Sequence, residues 1–291
     1  MLNCEGDATI ILEGTNYIET FQSSYPAIYV QAGKTLTIKG SGALTADASF
    51  WSRSAGIGGS DWESCGNIVI EGGTIEAKGG MWAAGIGGGY SNFDTINCGN
   101  ITIKDTITKV IASGGTRSIG AGLTGSCGTV TIGGVVTGSI PPSTFTYNGT
   151  INLSNVTSDY TAKHCETITG KLNADAKISV ANGATITLRD VNIKGKNWPT
   201  TQWAGLTCEG DATLILDGSN YVQRVFLLYP AIYVPEGHTL TIKGSGQLTA
   251  DAAGSSSAGI GGGDWESCGN IVIEGGTIEA IGGISSAGIG G

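Results

Sequence analysis

The sequence predicts an all-β protein folded as a parallel β-helix (β-solenoid), a stack of coils with glycine-rich turns. Three observations lead to this prediction. A long segment returns almost unchanged, a shorter unit recurs about every 30 residues, and no window has the apolar spacing of an amphipathic helix. The 291 residues include 50 glycines and only 6 prolines. Collagen is excluded because the glycines follow no three-residue period.

The segment that returns consists of short runs in which apolar and polar residues alternate, and glycine pairs separate these runs. It extends from Cys65 to Gly89 and comes back from Cys268 to Gly291, with CGNIVIEGGTIEA in both copies. Apolar and polar residues alternate on both sides of Gly72-Gly73, which is typical of half-buried strands. Glycine adopts positive φ without steric cost, so the glycine pairs predict tight turns.

A longer repeat divides the chain into parts of two modules. Cys4 matches Cys208, and the YPAIYV run at Tyr25 returns at Tyr229 with the same offset. We therefore expect residues 1–142 to be the C-terminal part of one β-helix module and residues 143–291 the N-terminal part of a second. The two parts are predicted to form one continuous solenoid, within a fragment of a longer protein whose export signal and anchor lie outside it.

Within each module, the apolar residue that ends a strand recurs at intervals of one coil. The predicted strand ends are Leu12, Ile38, Ile70, Ile103 and Ile132, then Leu188, Leu216, Ile242 and Ile273. The residue after each of them alternates in charge along the two series Glu13, Lys39, Glu71, Lys104 and Arg189, Asp217, Lys243, Glu274. We expect opposite charges to pair between neighbouring coils, because like charges at this spacing repel.

Cysteine follows the same period. Cys65, Cys98 and Cys127 each precede a predicted strand, and their spacing stacks them on adjacent coils. A metal site, disulfides and an inward column of small apolar thiols are the possible interpretations. Zinc is poorly supported because there is no CxxC pair and no histidine cluster. Side chains stacked in parallel also offer an unfavourable disulfide dihedral angle.

Composition excludes two classes of partner. A net charge of −9 opposes nucleic-acid binding, which needs clustered Lys and Arg. The chain lacks an apolar run of roughly 18 residues, so we expect no membrane insertion. The acidic balance is compatible with calcium or with basic surfaces.

Four motifs carry a resemblance to a known group of proteins: WAGLTCEGDATLILDG, YPAIYVPEGHTLTIKGSGQLTA, AGIGGG and SCGNIVIEGGTIEA. They resemble the repeats of large secreted surface proteins of gut bacteria that are described as adhesin-like or carbohydrate-binding-domain-like. The resemblance covers nearly the whole chain and implies a right-handed β-helix, an extracellular or cell-surface location, and adjacent modules of the same chain as neighbours. More distantly, the architecture is similar to calcium-dependent polygalacturonate-binding modules and to pectate lyases.

No residue set predicts catalysis. The two histidines, His164 and His238, lie outside any Gly-His-Gly turn, and no Arg-x-Lys occurs. The resemblance to pectin-active β-helix hydrolases would imply both features. Asp61 and Glu63 are compatible with an inverting pair, as are many surface carboxylates. The AGIGGG turn lacks the spacing of a dinucleotide loop. An ice-binding face is disfavoured because its outward column Thr37, Val69, Thr102 and Thr131 has one gap and the charged column lies beside it.

The predicted binding residues lie in one recurrent loop. Asp61-Trp62-Glu63 and Asp264-Trp265-Glu266 occupy equivalent positions, and a longer third copy reads Tyr90-Ser91-Asn92-Phe93-Asp94. A tryptophan between carboxylates offers an apolar face for a sugar ring and acceptors for hydroxyl groups or calcium. The alternative is a tryptophan folded onto its own loop. The remaining tryptophans, Trp51, Trp82, Trp198 and Trp203, are ambiguous.

Acidic turns are the candidates for calcium. Glu5 and Asp7 recur as Glu209 and Asp211. As an alternative, these residues are solvated side chains of a turn that closes a coil. Phe226-Leu227-Leu228, which replaces a polar triplet of the first module, is predicted to be an exposed contact patch or a buried one.

These observations predict a non-catalytic function. The leading interpretation is an adhesin-like stalk that presents loops to a polysaccharide or a host-surface glycan, with many weak sites acting together. A purely structural spacer is the alternative, and a pectin-active lyase or hydrolase is third. No cofactor is predicted apart from possible calcium.

Overall fold

The computed structural model describes residues 1–22, 24–50, 52–92, 96–194 and 202–291. It contains two compact units, Met1–Gly149 and Thr150–Gly291. The first unit thus ends seven residues after the predicted joint, because Phe145–Tyr147 pairs with a strand of the first unit and Ser118 binds the carbonyl groups of Pro141 and Ser143. The predicted continuity of the two modules stays a prediction.

The first unit contains eighteen strands among its described residues. They are β1 (Leu2–Cys4), β2 (Ala8–Leu12), β3 (Thr15–Glu19), β4 (Ile28–Val30), β5 (Thr35–Gly40), β6 (Ala43–Asp47), β7 (Ile57–Gly58), β8 (Asn67–Ile70), β9 (Thr74–Lys78), β10 (Ala84–Gly87), β11 (Asn97–Cys98), β12 (Ile101–Ile103), β13 (Lys109–Ser113), β14 (Arg117–Gly120), β15 (Ser126–Cys127), β16 (Val130–Ile132), β17 (Val135–Val136) and β18 (Phe145–Tyr147).

The second unit contains fifteen strands and one short 3-10 helix, Leu153–Asn155, among its described residues. Its strands are β19 (Thr150–Asn152), β20 (Tyr160–Ala162), β21 (Thr167–Lys171), β22 (Ile178–Val180), β23 (Ala184–Ile193), β24 (Leu206–Cys208), β25 (Ala212–Asp217), β26 (Ser219–Gln223), β27 (Ile232–Tyr233), β28 (Thr239–Gly244), β29 (Gln247–Asp251), β30 (Ile260–Gly261), β31 (Asn270–Ile273), β32 (Thr277–Ile281) and β33 (Ile289–Gly290).

Each unit is a parallel β-solenoid, as the sequence predicts. In the first unit, sheets of order β1-β4-β7-β10-β14, β17-β16-β12-β8-β5-β2 and β18-β13-β9-β6-β3 form the long faces, and β11 pairs with β15. Strands three or four positions apart in the chain pair in parallel over most of each sheet, so every coil lays one strand on each long face. Antiparallel pairing occurs where β17 and β18 join the sheets.

The second unit repeats this plan with one difference. Its face β20-β22-β24-β27-β30-β33 is separate, while the other two faces are joined into one nine-stranded sheet. The join is the long strand β23, whose first half pairs with β25 and whose second half pairs with β26. In neither unit do the described residues form an α-helix, and none of their helices has the length and apolar character to cross a membrane.

The core consists of columns in which one residue type recurs from coil to coil. Parallel pairing in register places equivalent residues next to each other, so the alternation seen in the sequence becomes an inward face and an outward face. The fully buried columns of the first unit are Ile28-Ile57-Ile86-Ile119, Leu36-Ile68-Ile101-Val130, Ile38-Ile70-Ile103-Ile132 and Ala46-Ala77-Ala112.

The glycine-rich AGIGGG turn is required by the close approach of successive coils. Gly58 and Gly87 have φ of 134° and 131°. A Cβ on Gly58 would lie 2.0 Å from the carbonyl oxygen of Gly87, and one on Gly87 would lie 2.0 Å from that of Gly120. Only glycine therefore fits this column, which explains why the motif recurs.

The strand register corrects two steps of the predicted charge series. Ile10, not Leu12, lies opposite Ile38, and Leu214, not Leu216, lies opposite Ile242. Leu12 instead faces Gly40, where the next coil has already begun to turn. The predicted Glu13–Lys39 and Asp217–Lys243 alignments are wrong for this reason.

Two steps of the series are correct. Lys104 forms an ion pair with Glu71 in the first unit, and Arg189 Nε lies 2.7 Å from Asp217 Oδ2 in the second. The hydrogen bond from Lys104 lowers the pKa of Glu71. Two further steps, Lys39–Glu71 and Lys243–Glu274, also agree with the register, because Ile38 lies opposite Ile70 and Ile242 lies opposite Ile273. The Lys39 charge also lowers the pKa of Glu71.

Candidate functional site

The Asp-Trp-Glu loop of the first unit holds its tryptophan in a strained conformation. Trp62 has φ of 73°, in the left-handed region that L-residues avoid, and its side chain is 41% exposed. The Trp62 N–H donates to the carbonyl of Tyr90 over 2.8 Å, and the Asp61 N–H donates to Ser54 Oγ over 3.1 Å. A bulky residue at positive φ is an outlier that the surrounding contacts must maintain.

Glu63, at the end of this loop, is held by two hydroxyl groups. Ser60 Oγ donates to Glu63 Oε2 over 2.7 Å, and the Tyr29 hydroxyl forms a second hydrogen bond with this carboxylate. Partial burial, together with the hydrogen bond to Glu63, raises the pKa of Tyr29 to about 12. The carboxylate is therefore fixed in orientation before any ligand arrives.

Glu63 and Tyr29 belong to an open groove of about 450 Å³. The groove combines aromatic rings, amides and carboxylates, and its lining residues are Met1, Asn3, Glu5, Tyr25, Tyr29, Gln31 and Glu63. Asn3 lies opposite Tyr29 on neighbouring strands, and its side-chain amide donates to Glu5 over 3.1 Å. Tyr29 in turn lies opposite Gly58, so no side chain of the next coil covers its outer side at that position.

The second unit repeats the central features of this arrangement. Trp265 has φ of 60°, and its side chain is 98% exposed. Tyr233 forms a hydrogen bond with Glu266, and burial together with this carboxylate raises the pKa of Tyr233. Tyr233 lies opposite Gly261, as Tyr29 lies opposite Gly58. Asp264 donates its backbone N–H to Leu228 over 2.9 Å.

An aromatic and basic cluster supports the loop in the first unit alone. The Arg53 guanidinium lies 5.2 Å from the ring centre of Trp82 and 5.6 Å from that of Tyr90. The two rings are 5.1 Å apart and tilted by 35°. Tyr90 is 9% exposed, so its ring packs beneath the loop and presents no open face to a ligand.

Asp61 lies at the edge of this cluster. Its Oδ2 is 4.0 Å from Arg53 Nη1, its side chain is only 6% exposed, and its Oδ1 is buried without a hydrogen-bond partner. Burial raises the pKa of Asp61, while Arg53 and a hydrogen bond from the Trp62 indole oppose the shift. Neither Asp61 nor Trp62 lines the groove, so the structure brings only Glu63 of the triplet into it.

The acidic turns have a structural role that the sequence analysis did not identify. Asp7 Oδ1 accepts the backbone N–H of Thr35 over 2.8 Å, and Asp211 Oδ1 accepts that of Thr239 over 2.8 Å. Each bond links one coil to the next. Thr161 Oγ1 donates to Glu209 over 3.2 Å. Within the described ranges, no three His, Cys, Asp or Glu side chains form a group suited to a metal ion.

The other candidate positions are partly accounted for. Phe93, Asp94, Trp51 and Trp198 lie outside the described residues. Phe226 packs at 6.3 Å against Tyr229, and the Leu227 carbonyl accepts the N–H of Ser256, so this predicted patch lies partly against its own unit.

The tyrosines of the groove were missed at the sequence level. Tyr25 and Tyr29 are the first and fifth residues of a YPAIYV run, as Tyr229 and Tyr233 are in the second module, and the run by itself indicates a repeat and no binding site. Alternation predicts that Tyr29 points outward, between buried Ile28 and Val30. No sequence pattern predicts the contact of Tyr29 with Glu63, because the two residues lie in different coils.

Comparison with known proteins supports the fold. The model of a family described as a beta helix repeat matches residues 68–90, 240–264 and 271–291. These segments contain the alternating strands and glycine-rich turns described above. No curated protein and no solved structure matches the chain. The chain therefore carries β-helix repeats, and the resemblance to adhesin-like surface proteins stays a prediction.

Proposed function

We propose that the chain is a non-catalytic, adhesin-like stalk, outside the cell or at its surface, that binds carbohydrate through its tyrosine-glutamate sites. The observation that carries the proposal is the recurrence of one arrangement in both units. A strained, exposed tryptophan precedes a glutamate that a tyrosine of the preceding coil holds by a hydrogen bond. Strain of this kind persists where surrounding contacts or a function maintain it.

The groove of the first unit has the chemistry that a sugar ring requires. Tyr25 is 45% exposed and offers an aromatic face, while Asn3 and Gln31 supply amide donors and acceptors. The Glu5 and Glu63 carboxylates accept hydrogen bonds from hydroxyl groups, and bonds to charged acceptors are stronger than neutral ones. An open groove also admits a chain that continues beyond the bound residue.

Charge narrows the class of glycan. The side chains that line the groove include two carboxylates and no lysine or arginine. A uronic acid would meet like charges there unless a cation lay between them, whereas neutral sugars or sugars with a free amine would not. An ammonium group would also gain from the tyrosine rings. We therefore expect neutral or amine-bearing glycans to bind better than polygalacturonate.

The test is binding of the purified chain to immobilised glycans, with calcium and with chelator. The panel contains a neutral plant glycan, chitosan oligomers, chitin oligomers and polygalacturonate. The Glu63→Gln/Glu266→Gln variant should lose roughly 10-fold or more in affinity, which corresponds to about 1.4 kcal/mol. The exposed Glu13→Gln is the matched control and should bind as the parent chain does. Full binding by the double variant would overturn the proposed site.

A structural spacer is the second candidate, favoured by the coil-to-coil bonds of Asp7 and Asp211. If the chain is a spacer, we expect it to bind no glycan of the panel while its circular dichroism spectrum shows folded β-structure. Release of reducing sugar from polygalacturonate by the purified chain would replace both candidates by the pectin-active enzyme.

A further inference from the structure

Three cysteines of the first unit lie in direct succession on neighbouring coils. Cys65 pairs with Cys98 as an isolated parallel bridge, and Cys98 pairs with Cys127 between β11 and β15. All three are free thiols. The sequence predicted this column from the spacing alone, and the register confirms it. Paired residues of neighbouring strands lie about 4.8 Å apart, within the range of Cα separations that a disulfide spans.

The hydrogen bonds of the column point to Cys98 as its centre. The Cys65 thiol donates to the Gly87 carbonyl over 3.3 Å, and the Cys127 thiol donates to the Gly99 carbonyl over 3.4 Å. The Cys98 sulfur atom lies within hydrogen-bonding reach of both neighbouring sulfur atoms. The middle thiol therefore touches two possible partners, and each outer thiol touches one.

Exposure and electrostatics distinguish the two outer thiols. Cys65 and Cys98 are buried, whereas Cys127 is partly exposed. The hydrogen bond from Cys98 lowers the pKa of Cys127, while the same bonds and burial raise the pKa of Cys98. The thiolate is the reactive form, so Cys127 is the entry point for a reagent from solvent.

The remaining cysteines lack this arrangement. Cys4 lies opposite Val30, Cys208 lies opposite Val180, and Cys268 bridges to Pro235. Burial raises the pKa of Cys165 and of Cys208, each to about 12. These thiols serve as internal controls, because they share the coil geometry without a stacked thiol neighbour.

We propose that Cys65, Cys98 and Cys127 form a thiol-disulfide relay, in which a single disulfide joins Cys98 to either neighbour and links two coils. The oxidant is a small-molecule disulfide of the glutathione class. The Cys127 thiolate attacks it, forms a mixed disulfide and releases one small thiolate. Cys98 loses its proton and attacks Cys127 Sγ, which releases the second small thiolate and forms Cys98–Cys127.

The bond is then able to move along the column. The Cys65 thiolate attacks Cys98 Sγ, a Cys65–Cys98 disulfide forms, and Cys127 leaves as the thiolate. Two protons and two electrons leave the protein in the first stage, and none in the second. Cys65 and Cys127 are two coils apart, about 9.6 Å, which is too far for a direct bond.

The three cysteines lie in short stretches of strand pairing. Cys98 and Cys127 lie in strands of only two residues, and Cys65 lies in an isolated bridge. Each is followed by a glycine: Gly66, Gly99 or Gly128. Backbone hydrogen bonds from Gly99 to Cys65 and from Gly128 to Cys98 hold the three residues in register, so the disulfide dihedral angle has to come from side-chain rotation.

The experiment is oxidation of the full chain with oxidised glutathione, followed by alkylation of free thiols and peptide mapping. We expect one intramolecular disulfide, a mass loss of about 2 Da, that includes Cys98 in every molecule. Cys127→Ser should leave Cys65 and Cys98 reduced, because both are buried and the exposed entry thiol is absent, and Cys65→Ser should yield Cys98–Cys127. Cys98→Ser should yield no disulfide and a glutathione adduct at Cys127.

The proposal is overturned by a Cys65–Cys127 bond, by a disulfide that includes one of the control cysteines, or by full alkylation of all three thiols after oxidation. If a serine variant does not fold, mapping of the parent chain decides alone. A higher melting temperature of the oxidised parent chain, lost in Cys98→Ser, would further support the cross-link between coils, and an unchanged one would oppose it.

Discussion

The two Asp-Trp-Glu loops share their backbone conformation but not their surroundings. Trp62 and Trp265 both adopt positive φ, and the following glutamate meets a tyrosine in both loops. Only the first loop rests on Arg53, since the second unit has Ser256 at that position.

The comparison shows that the strain does not depend on the supporting cluster. Trp62, with its neighbours, is 41% exposed, and Trp265 is 98% exposed, yet both keep the same conformation. The shared features are therefore encoded in the loop and the tyrosine strand. The Arg53 cluster affects how firmly the first loop is held.

The largest expected effect separates two equivalent glycines of the AGIGGG turn. Gly87→Ala would place a Cβ 2.0 Å from the Gly120 oxygen, whereas the nearest atom to a Cβ on Gly290 is 3.7 Å away. We expect Gly87→Ala to lower the free energy of unfolding by about 3 kcal/mol or more, and Gly290→Ala by about 1 kcal/mol. Chemical denaturation measures both. Equal losses would show that coil approach is not the cause.

Replacing the two tryptophans by glycine distinguishes their effect on glycan binding from their effect on stability. Trp265→Gly removes the cost of positive φ and almost no buried surface, so we expect the free energy of unfolding to rise by about 0.5–1 kcal/mol. At Trp62, lost packing should offset this gain. Glycan affinity should stay within roughly 2-fold of the parent chain when both are replaced, because the Trp62 side chain does not line the groove. Destabilisation by Trp265→Gly would instead indicate a tryptophan that covers its own loop.

A third effect is visible at alkaline pH. The folded protein holds the Tyr29 proton more tightly than the unfolded chain, because its pKa rises from 10.0 to about 12. Its contribution to stability is complete below pH 10.0 and is lost as the pH rises to about 12. Denaturation at several pH values should show a shallower alkaline loss for Tyr29→Phe, and Tyr233→Phe should act in the same direction. An unchanged slope would contradict the assigned contact with Glu63.

The smallest effect tests the corrected register. A double-mutant cycle between Arg189 and Asp217 should give a coupling of about 0.5 kcal/mol, since the pair is exposed. A cycle between Asp217 and Lys243 should give none, because Ile215 lies opposite Lys243. Equal coupling in the two cycles would restore the alignment expected from the sequence.

Much of the fold follows from local patterns. Alternation on both sides of Gly72-Gly73 predicts β8 and β9, and the period of Cys65, Cys98 and Cys127 predicts their stacking. These inferences succeed because a parallel solenoid converts a fixed spacing in the chain into a fixed neighbour in space. They fail at Leu12, because β2 continues beyond Ile10, the residue opposite Ile38, and Leu12 therefore lies opposite Gly40 at the turn of the next coil.

The sequence by itself determined the solenoid, the repeated glycine turns and the loops that carry Trp62 and Trp265. Only the tertiary structure decided which residues those loops meet. It paired Glu63 with Tyr29, buried Tyr90 beneath Arg53, and assigned Asp7 to a coil-to-coil bond. Periodicity specifies which strands stack, because every coil obeys the same spacing. Side-chain contacts between loops depend on turn conformations that vary from coil to coil, and no periodic pattern records them.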